Sequence, residues 1–279
     1  MIRIVTDTAS DITVEQAADM NIDLVPLDIT FEDGPCPQNT ESDFALFYQR
    51  LEKCENLPIT SRPSPEAYLK IFEEAKAAGD EVLVLTLSSG LSGTCESALM
   101  AQKMANYNGV YVVDTHQAIL TQRILVEHAF KMRDEGYGAR EIADKITALR
   151  DKVVVCGVVD TLKYLQKGGR IPASLARIGT FLHIKPVIVL EDKILKTLGK
   201  ARGREAGIAM LFKRMEQDGF NRAYPCYVGY TSNRVLVEKF QQQLIDRYGS
   251  LTTRMHPIGG IIGTHCGTDC IAVAYVKGE

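Results

Sequence analysis

The run from Glu81 to Leu87 (EVLVLTL) most constrains what this chain can fold into. It has strand length and strand composition, and turn-forming residues bound it on both sides: Gly79-Asp80 before, Ser88-Ser89-Gly90 after. Such a run reads as a strand buried on both faces, the kind found inside a parallel sheet. Its neighbours repeat the rhythm. Ile2-Arg3-Ile4-Val5 is a short strand that ends in the polar cluster Thr6–Asp11, with a helix starting near Thr13. Residues 21–31 form a second strand region, 33–39 a loop, and 41–52 a helix with Ser42 as cap. Pro65 suits the first turn of a helix running to Ala78. A helix follows Ser88–Thr94, residues 109–114 (GVYVVD) make another strand, and Thr115 opens a long helical stretch. This alternation through about residue 150 calls for an α/β fold, a parallel sheet with helices on both faces.

The second half has a different pattern. Residues 151–159 read as one more strand. Strands at 187–190 and 193–197 flank Glu191-Asp192 and should form a hairpin. A helix at 200–217, a strand at 224–230, a helix at 234–248 and a final strand at 270–276 complete an α+β pattern. The expected domains are therefore 1–150 and 151–279. The loop at 58–66, stiffened by Pro58, Pro63 and Pro65, is expected to reach toward the second domain.

Composition excludes several functions. With 46% hydrophobic and 24% charged residues the chain is globular. A net charge of −3 lacks the basic footprint that nucleic-acid binding needs. No apolar run approaches the roughly 20 residues of a membrane span, so membrane contact is at most transient. The N-terminus has neither a basic segment nor a long apolar one, which reads as cytoplasmic. Seven cysteines at irregular spacing argue against a disulfide framework. Cys266 and Cys270 stand beside His265 with no second ligand pair at similar spacing, so no metal is expected.

Four loops have the composition of a ligand site. Ser88–Thr94 (SSGLSGT) joins a buried strand to a helix start. Its glycines admit close approach or positive φ, its hydroxyls donate, and the helix N-terminus favours an anion. A tight turn with a serine cap would explain the same residues. Thr60-Ser61-Arg62-Pro63-Ser64 is a preorganised polar loop, or an ordinary proline-rich connection. Lys167–Pro172 contains Gly168-Gly169 and the planar donor fork of Arg170, suited to a carboxylate or phosphate. Gly259–Gly267 surrounds Thr264 and His265 with glycine, which favours a site role for the histidine. None of these loops has a nucleotide-binding glycine pattern. An enzyme reading competes: Ser92, Asp114 and His265 fall in the chain order of an α/β-hydrolase triad, although Thr94 stands where the nucleophile elbow wants glycine.

Taken in order, Ile4–Thr8, Thr60–Ser64, Ser88–Thr94, Tyr164–Ile171, Lys185-Pro186 and Ile262–His265 resemble the DegV family of bacterial fatty-acid-binding proteins. The resemblance spans essentially the whole chain. It implies a Rossmann-like N-terminal domain, a smaller α+β C-terminal domain and an acyl chain buried between or within them. It further implies a non-catalytic role: the fatty-acid carboxylate is held for phosphorylation by a separate, ATP-binding kinase subunit. Carried onto this chain, it points to Thr60, Ser61, Ser92, Gly93, Thr94, Arg170, Thr264 and His265 for the head group. Arg170 and Arg202 are implied for partner docking. Arg62 stands where many members have Gln, and Cys266 after the histidine is a second departure. No cofactor is expected beyond the bound long-chain fatty acid. About 15 methylenes at roughly 0.8 kcal/mol each would give about 12 kcal/mol gross, against roughly 1.5–3 kcal/mol for a charge-assisted hydrogen bond. The tail should set affinity and the head-group loops orientation. Ile178, Phe181, Leu182, Ile184, Val187, Ile188 and Val189 are apolar material for a tunnel, or plain core.

Overall fold

The computed structural model describes residues 1–172, 184–249 and 251–278. Ile178, Phe181 and Leu182 lie outside the described residues.

Four strands form a wholly parallel sheet in the order β2 (Ile22–Val25), β1 (Ile2–Asp7), β6 (Glu81–Thr86), β7 (Val110–Asp114). The chain leaves β1 toward one edge and returns on its other side as β6, so the order reverses beside β1. Ligands collect outside the carboxyl ends of the strands at such a point. Side chains alternate across the sheet. Val5, Val82 and Val84 pack on α3 (Pro65–Ala78) and α4 (Thr94–Ala105). Ile4, Leu83 and Leu85 face α5 (Ile119–Asp134). The helix α6 (Ala139–Leu149) packs beside α5, and a short helix α7 (Lys163–Lys167) leads into the glycine-glycine turn.

The second sheet runs β10 (Ile194–Arg202), β9 (Ile184–Glu191), β8 (Val153–Val158), β13 (Ile271–Val276), β11 (Cys226–Tyr230), β12 (Thr253–Pro257). Only β11 and β12 pair parallel. Val154, Cys156 and Val158 join the apolar layer of α8 (Arg204–Asp218) and α9 (Arg234–Tyr248). Val153, Val155, Ala272 and Ala274 belong instead to the core that contains α5, so this helix lies between the two sheets.

A small antiparallel sheet, β4 (Gly34–Pro35), β3 (Asp28–Phe31), β5 (Ile59–Ser61), was not visible in the sequence. The strand region at 21–31 divides at Pro26-Leu27 into β2 and β3, which join different sheets. The helices α1 (Val14–Asp19) and α2 (Glu41–Leu51) both start with a capping box, from Thr13 and Gln16 and from Thr40 and Asp43. The cap of α2 is Thr40, not Ser42, because the Thr40 hydroxyl meets the Asp43 N–H. The β9–β10 turn falls at Asp192-Lys193, both with positive φ, one residue later than expected. That is the mirror-image turn whose twist suits a hairpin.

The glycine-rich stretch at 259–267 is no loop. It forms the helix α10 (Gly260–Cys266), and its glycines serve packing. A Cβ on Gly260 would lie 2.6 Å from the Phe47 ring, and one on Gly263 2.4 Å from the Tyr48 hydroxyl. Only a side-chain-free face can lie this close to the rings of α2.

Candidate functional site: an apolar cavity with a donor-lined end

Segments from the carboxyl ends of the parallel strands enclose a cavity of about 290 Å³ with the inner face of the second sheet. Leu27 follows β2, Leu87 to Gly93 follow β6, and Ala118 and Ile119 follow β7. Val155, Gly157 and Ala272 come from β8 and β13, and Ile188, Val189 and Leu190 from β9. Ile258, Ile261 and Ile262 close another side. Of the tunnel candidates within the described residues, Ile188 and Val189 line the wall, whereas Ile184 and Val187 do not. Ile119 has φ +46. A β-branched residue is strained there, and such strain gathers where a side chain is held in a site.

The polar lining is gathered from distant segments: Thr60, Ser61, Arg62, Ser92, Arg170 and His265. No aspartate or glutamate is among the described lining residues. Pairing of β5 with β3, Ile29 opposite Thr60, holds the first two in place. The Thr60 hydroxyl lies 3.3 Å from His265 Nε2. His265 is 8% exposed, and its Nδ1 has no partner among the described residues. Burial, followed by the positive charge of Arg170, brings its pKa down to about 4, so the imidazole is neutral at pH 7. On the other side of the ring, Gly168 approaches so closely that a Cβ there would sit 2.1 Å from Nδ1.

His265 is positioned by a buried clamp on α10. Asp11 Oδ1 accepts the Gly259 N–H at 3.0 Å, Gln38 accepts the Gly260 N–H, and the Tyr48 hydroxyl donates to the Ile258 carbonyl at 2.8 Å. Burial pushes the Asp11 carboxyl up to about 8, despite the Gly259 hydrogen bond and nearby Arg123. Sequence reasoning missed all three side chains. The polar cluster after β1 was the only signal.

The Ser88–Thr94 segment carries no positive φ. Its glycines instead admit neighbours: a Cβ on Gly90 would lie 2.4 Å from the Lys193 carbonyl oxygen, and one on Gly93 2.3 Å from Arg62 Nη1. The β9–β10 turn thus seats on this loop, where the Ser88 hydroxyl donates to the Lys193 carbonyl at 2.9 Å. Arg170 ties the glycine-glycine loop to the same segment through Nε to the Leu91 carbonyl at 3.2 Å. Burial lowers its pKa from the usual arginine value.

Among the residues expected at the head group, Thr60, Ser61, Ser92, Gly93, Arg170 and His265 line the cavity. Thr94 and Thr264 do not. The Thr94 hydroxyl pairs with that of Ser92 at 2.8 Å, and the Thr264 hydroxyl is spent on the Gly260 carbonyl of its own helix at 2.8 Å. Arg202 is exposed at the end of β10.

The hydrolase triad is not assembled. Ser92 hydrogen-bonds Thr94 and His265 meets Thr60. Asp114 accepts from the Ser89 hydroxyl, the His116 N–H and Lys193, and is no orienting partner for His265. Burial pushes the Asp114 carboxyl up, but these donors outweigh it and leave it below the usual carboxylate range. Sequence order mimicked a triad because Asp114 ends the strand next to β6.

The chain matches the family model "Uncharacterised protein, DegV family" over residues 1–278. It belongs to the DegV family. Protein DegV of Bacillus subtilis (strain 168) is 27% identical over 98% of both chains. A DegV family protein from Thermus thermophilus, solved in a study of its fatty acid binding, is 28% identical over 99% of both chains with a TM-score of 0.88. The Fatty Acid Kinase (Fak) B3 protein of Streptococcus pneumoniae, solved loaded with linoleic acid, shares the fold at a TM-score of 0.86 and 20% identity over the full length of both chains. No helix of the described residues is long and apolar enough to cross a membrane, and no group of three or more His, Cys, Asp or Glu among them could hold a metal ion.

Proposed function

We propose that this protein binds a long-chain fatty acid, buries its hydrocarbon tail in the cavity, and presents the carboxylate at the donor-lined end. One observation carries the reading: a largely apolar cavity whose polar residues, among those described, can all donate hydrogen bonds and include no carboxylate. A fatty acid is ionised at pH 7 and wants that partner set. The Ser92 and Thr60 hydroxyls, the neutral imidazole of His265 and the Arg170 guanidinium would receive the carboxylate. The fatty acid binding described for the Thermus thermophilus relative supports the ligand class.

Ser92 is paired with Thr94 rather than with His265, and Asp114 does not orient that imidazole, which supports a site that holds the carboxylate for chemistry supplied from elsewhere. The carboxylate oxygen would attack the γ-phosphorus of a nucleotide held by a separate kinase subunit, giving an acyl phosphate and the nucleoside diphosphate. Arg170 and Arg202 are proposed contacts for that subunit. A cytoplasmic location fits seven free cysteines.

Native mass spectrometry of the purified protein, with analysis of lipid extracted after denaturation, tests the reading. One fatty acid per chain is expected. A protein that emerges empty and takes up no added palmitate overturns it.

A further inference from the structure

The proposed carboxylate site explains Thr60, Ser92, Arg170 and His265, but leaves one guanidinium of the same cavity without a task. Arg62 lines the cavity beside Ser92 and Gly93, and its side chain is 46% exposed whereas His265 is almost fully buried. This burial gradient puts Arg62 at the outer end of the polar lining. Its Nη1 donates to the Gly93 carbonyl at 3.1 Å and to the Glu96 carboxylate, while Nε and Nη2 have no partner among the described residues. The absent Cβ of Gly93 is what admits the guanidinium over the turn.

Arg170 and the Arg62–Glu96 pair together carry one positive charge, which matches a single carboxylate, so a doubly charged head group is matched only if Arg62 leaves Glu96. Arg170 supplies one positive charge beside His265, with no acidic residue in the described lining to offset it. Arg62 supplies a second, held by Glu96, a two-thirds exposed residue of the first turn of α4 that is not part of the lining. An exposed ion pair of this kind is worth little and exchanges readily for a better anion. A phosphoryl group offers two charges and the oxygen geometry that a guanidinium fork fits.

We infer that Arg62 is the residue of this chain that distinguishes a doubly charged head group from a carboxylate: it stays on Glu96 when a fatty acid is bound and leaves Glu96 to hold the phosphoryl oxygens of an acyl or long-chain alkyl phosphate. This rests on the fatty-acid reading and adds to it the head group that would follow phosphorylation. The carboxyl carbon of an acyl phosphate occupies the place of the fatty-acid carboxyl, and the phosphoryl group extends outward to Arg62.

The test compares palmitate with hexadecyl phosphate, a hydrolytically stable dianion, by displacement of a fluorescent fatty acid from the full chain. Wild type is expected to bind both. Arg62→Gln is expected to weaken hexadecyl phosphate about five- to twentyfold and palmitate less than about threefold. Glu96→Gln, outside the lining, is expected to leave palmitate alone and strengthen hexadecyl phosphate about two- to fivefold by releasing Arg62. Equal losses of both ligands in Arg62→Gln, no change in either, or a Glu96→Gln protein indifferent to the phosphate overturn the inference. Palmitate binding without hexadecyl phosphate binding in wild type overturns it while the fatty-acid reading stands. Binding of neither overturns both.

Discussion

Gly168→Ala places one methyl group against the imidazole that the account makes central. The backbone at Gly168 (φ −75, ψ −6) is right-handed helical, so alanine brings no conformational strain. The added carbon would sit 2.1 Å from His265 Nδ1 and 2.8 Å from Cε1. Normal contact needs about 3.5 Å, so the ring must retreat by more than about 1 Å. The Thr60–His265 contact is already 3.3 Å and does not survive such a shift. Losing the orientation of one head-group hydrogen bond costs about 1–3 kcal/mol, which weakens binding roughly 5- to 150-fold. Overpacking removes about 1–3 kcal/mol of stability as well. Palmitate affinity by fluorescent displacement, with melting followed in parallel, reads both effects. Gly138→Ala is the control: its φ is −74, a Cβ there meets nothing within 4 Å, and it is not among the lining residues. A Gly168→Ala protein that binds palmitate within twofold of wild type would refute the placement of His265 against the ligand.

Three other outcomes follow from the same geometry. Tyr48→Phe strands the buried Ile258 carbonyl and should lower stability by about 1–3 kcal/mol in chemical denaturation, with no loss expected if water replaces the hydroxyl, a result that would sink the clamp. Asp11 is raised to about 8 in the fold, so its native state keeps a proton that the unfolded chain releases from about pH 4 upward. Stability from this group is present at low pH and lost as pH rises toward 8, by up to about 1.4 kcal/mol per unit. Asp11→Asn keeps an acceptor for the Gly259 N–H and should remove that slope, so its advantage over wild type grows between pH 5 and 8. Parallel stability–pH curves for the two proteins would contradict this. Ala272→Leu projects into the cavity and should weaken stearate more than decanoate. Equal weakening at both chain lengths would place Ala272 outside the tail's path.

Much of the fold was legible because local and global signals agreed. Val82, Val84 and their neighbours form an apolar run that only an interior strand explains, and Pro65 and Gly79 bracket a helix whose ends the structure reproduces. The sequence pointed to Ser92 and His265, 173 residues apart, and the structure brings both to the lining of one cavity. The site was illegible where long-range contacts decide. Thr264 looks like a ligand in the sequence, yet its own helix takes its hydroxyl. The glycines at 259–267 suggested flexibility because the aromatic rings of α2 that require them lie more than 200 residues away. Asp11 and Gln38 gave no hint of function, since their partners are backbone amides at the far end of the chain.

A titration of palmitate labelled with ¹³C at the carboxyl carbon, followed by NMR in the bound state, addresses the arrangement at the head group most directly. At pH 7 the bound carboxyl should give one narrow, ionised resonance, with a pKa held below that of the free acid by its donors, and Ser92→Ala and His265→Ala should each move it. A bound carboxyl that titrates like the free acid and ignores both substitutions would mean that the head group lies somewhere other than between Ser92 and His265.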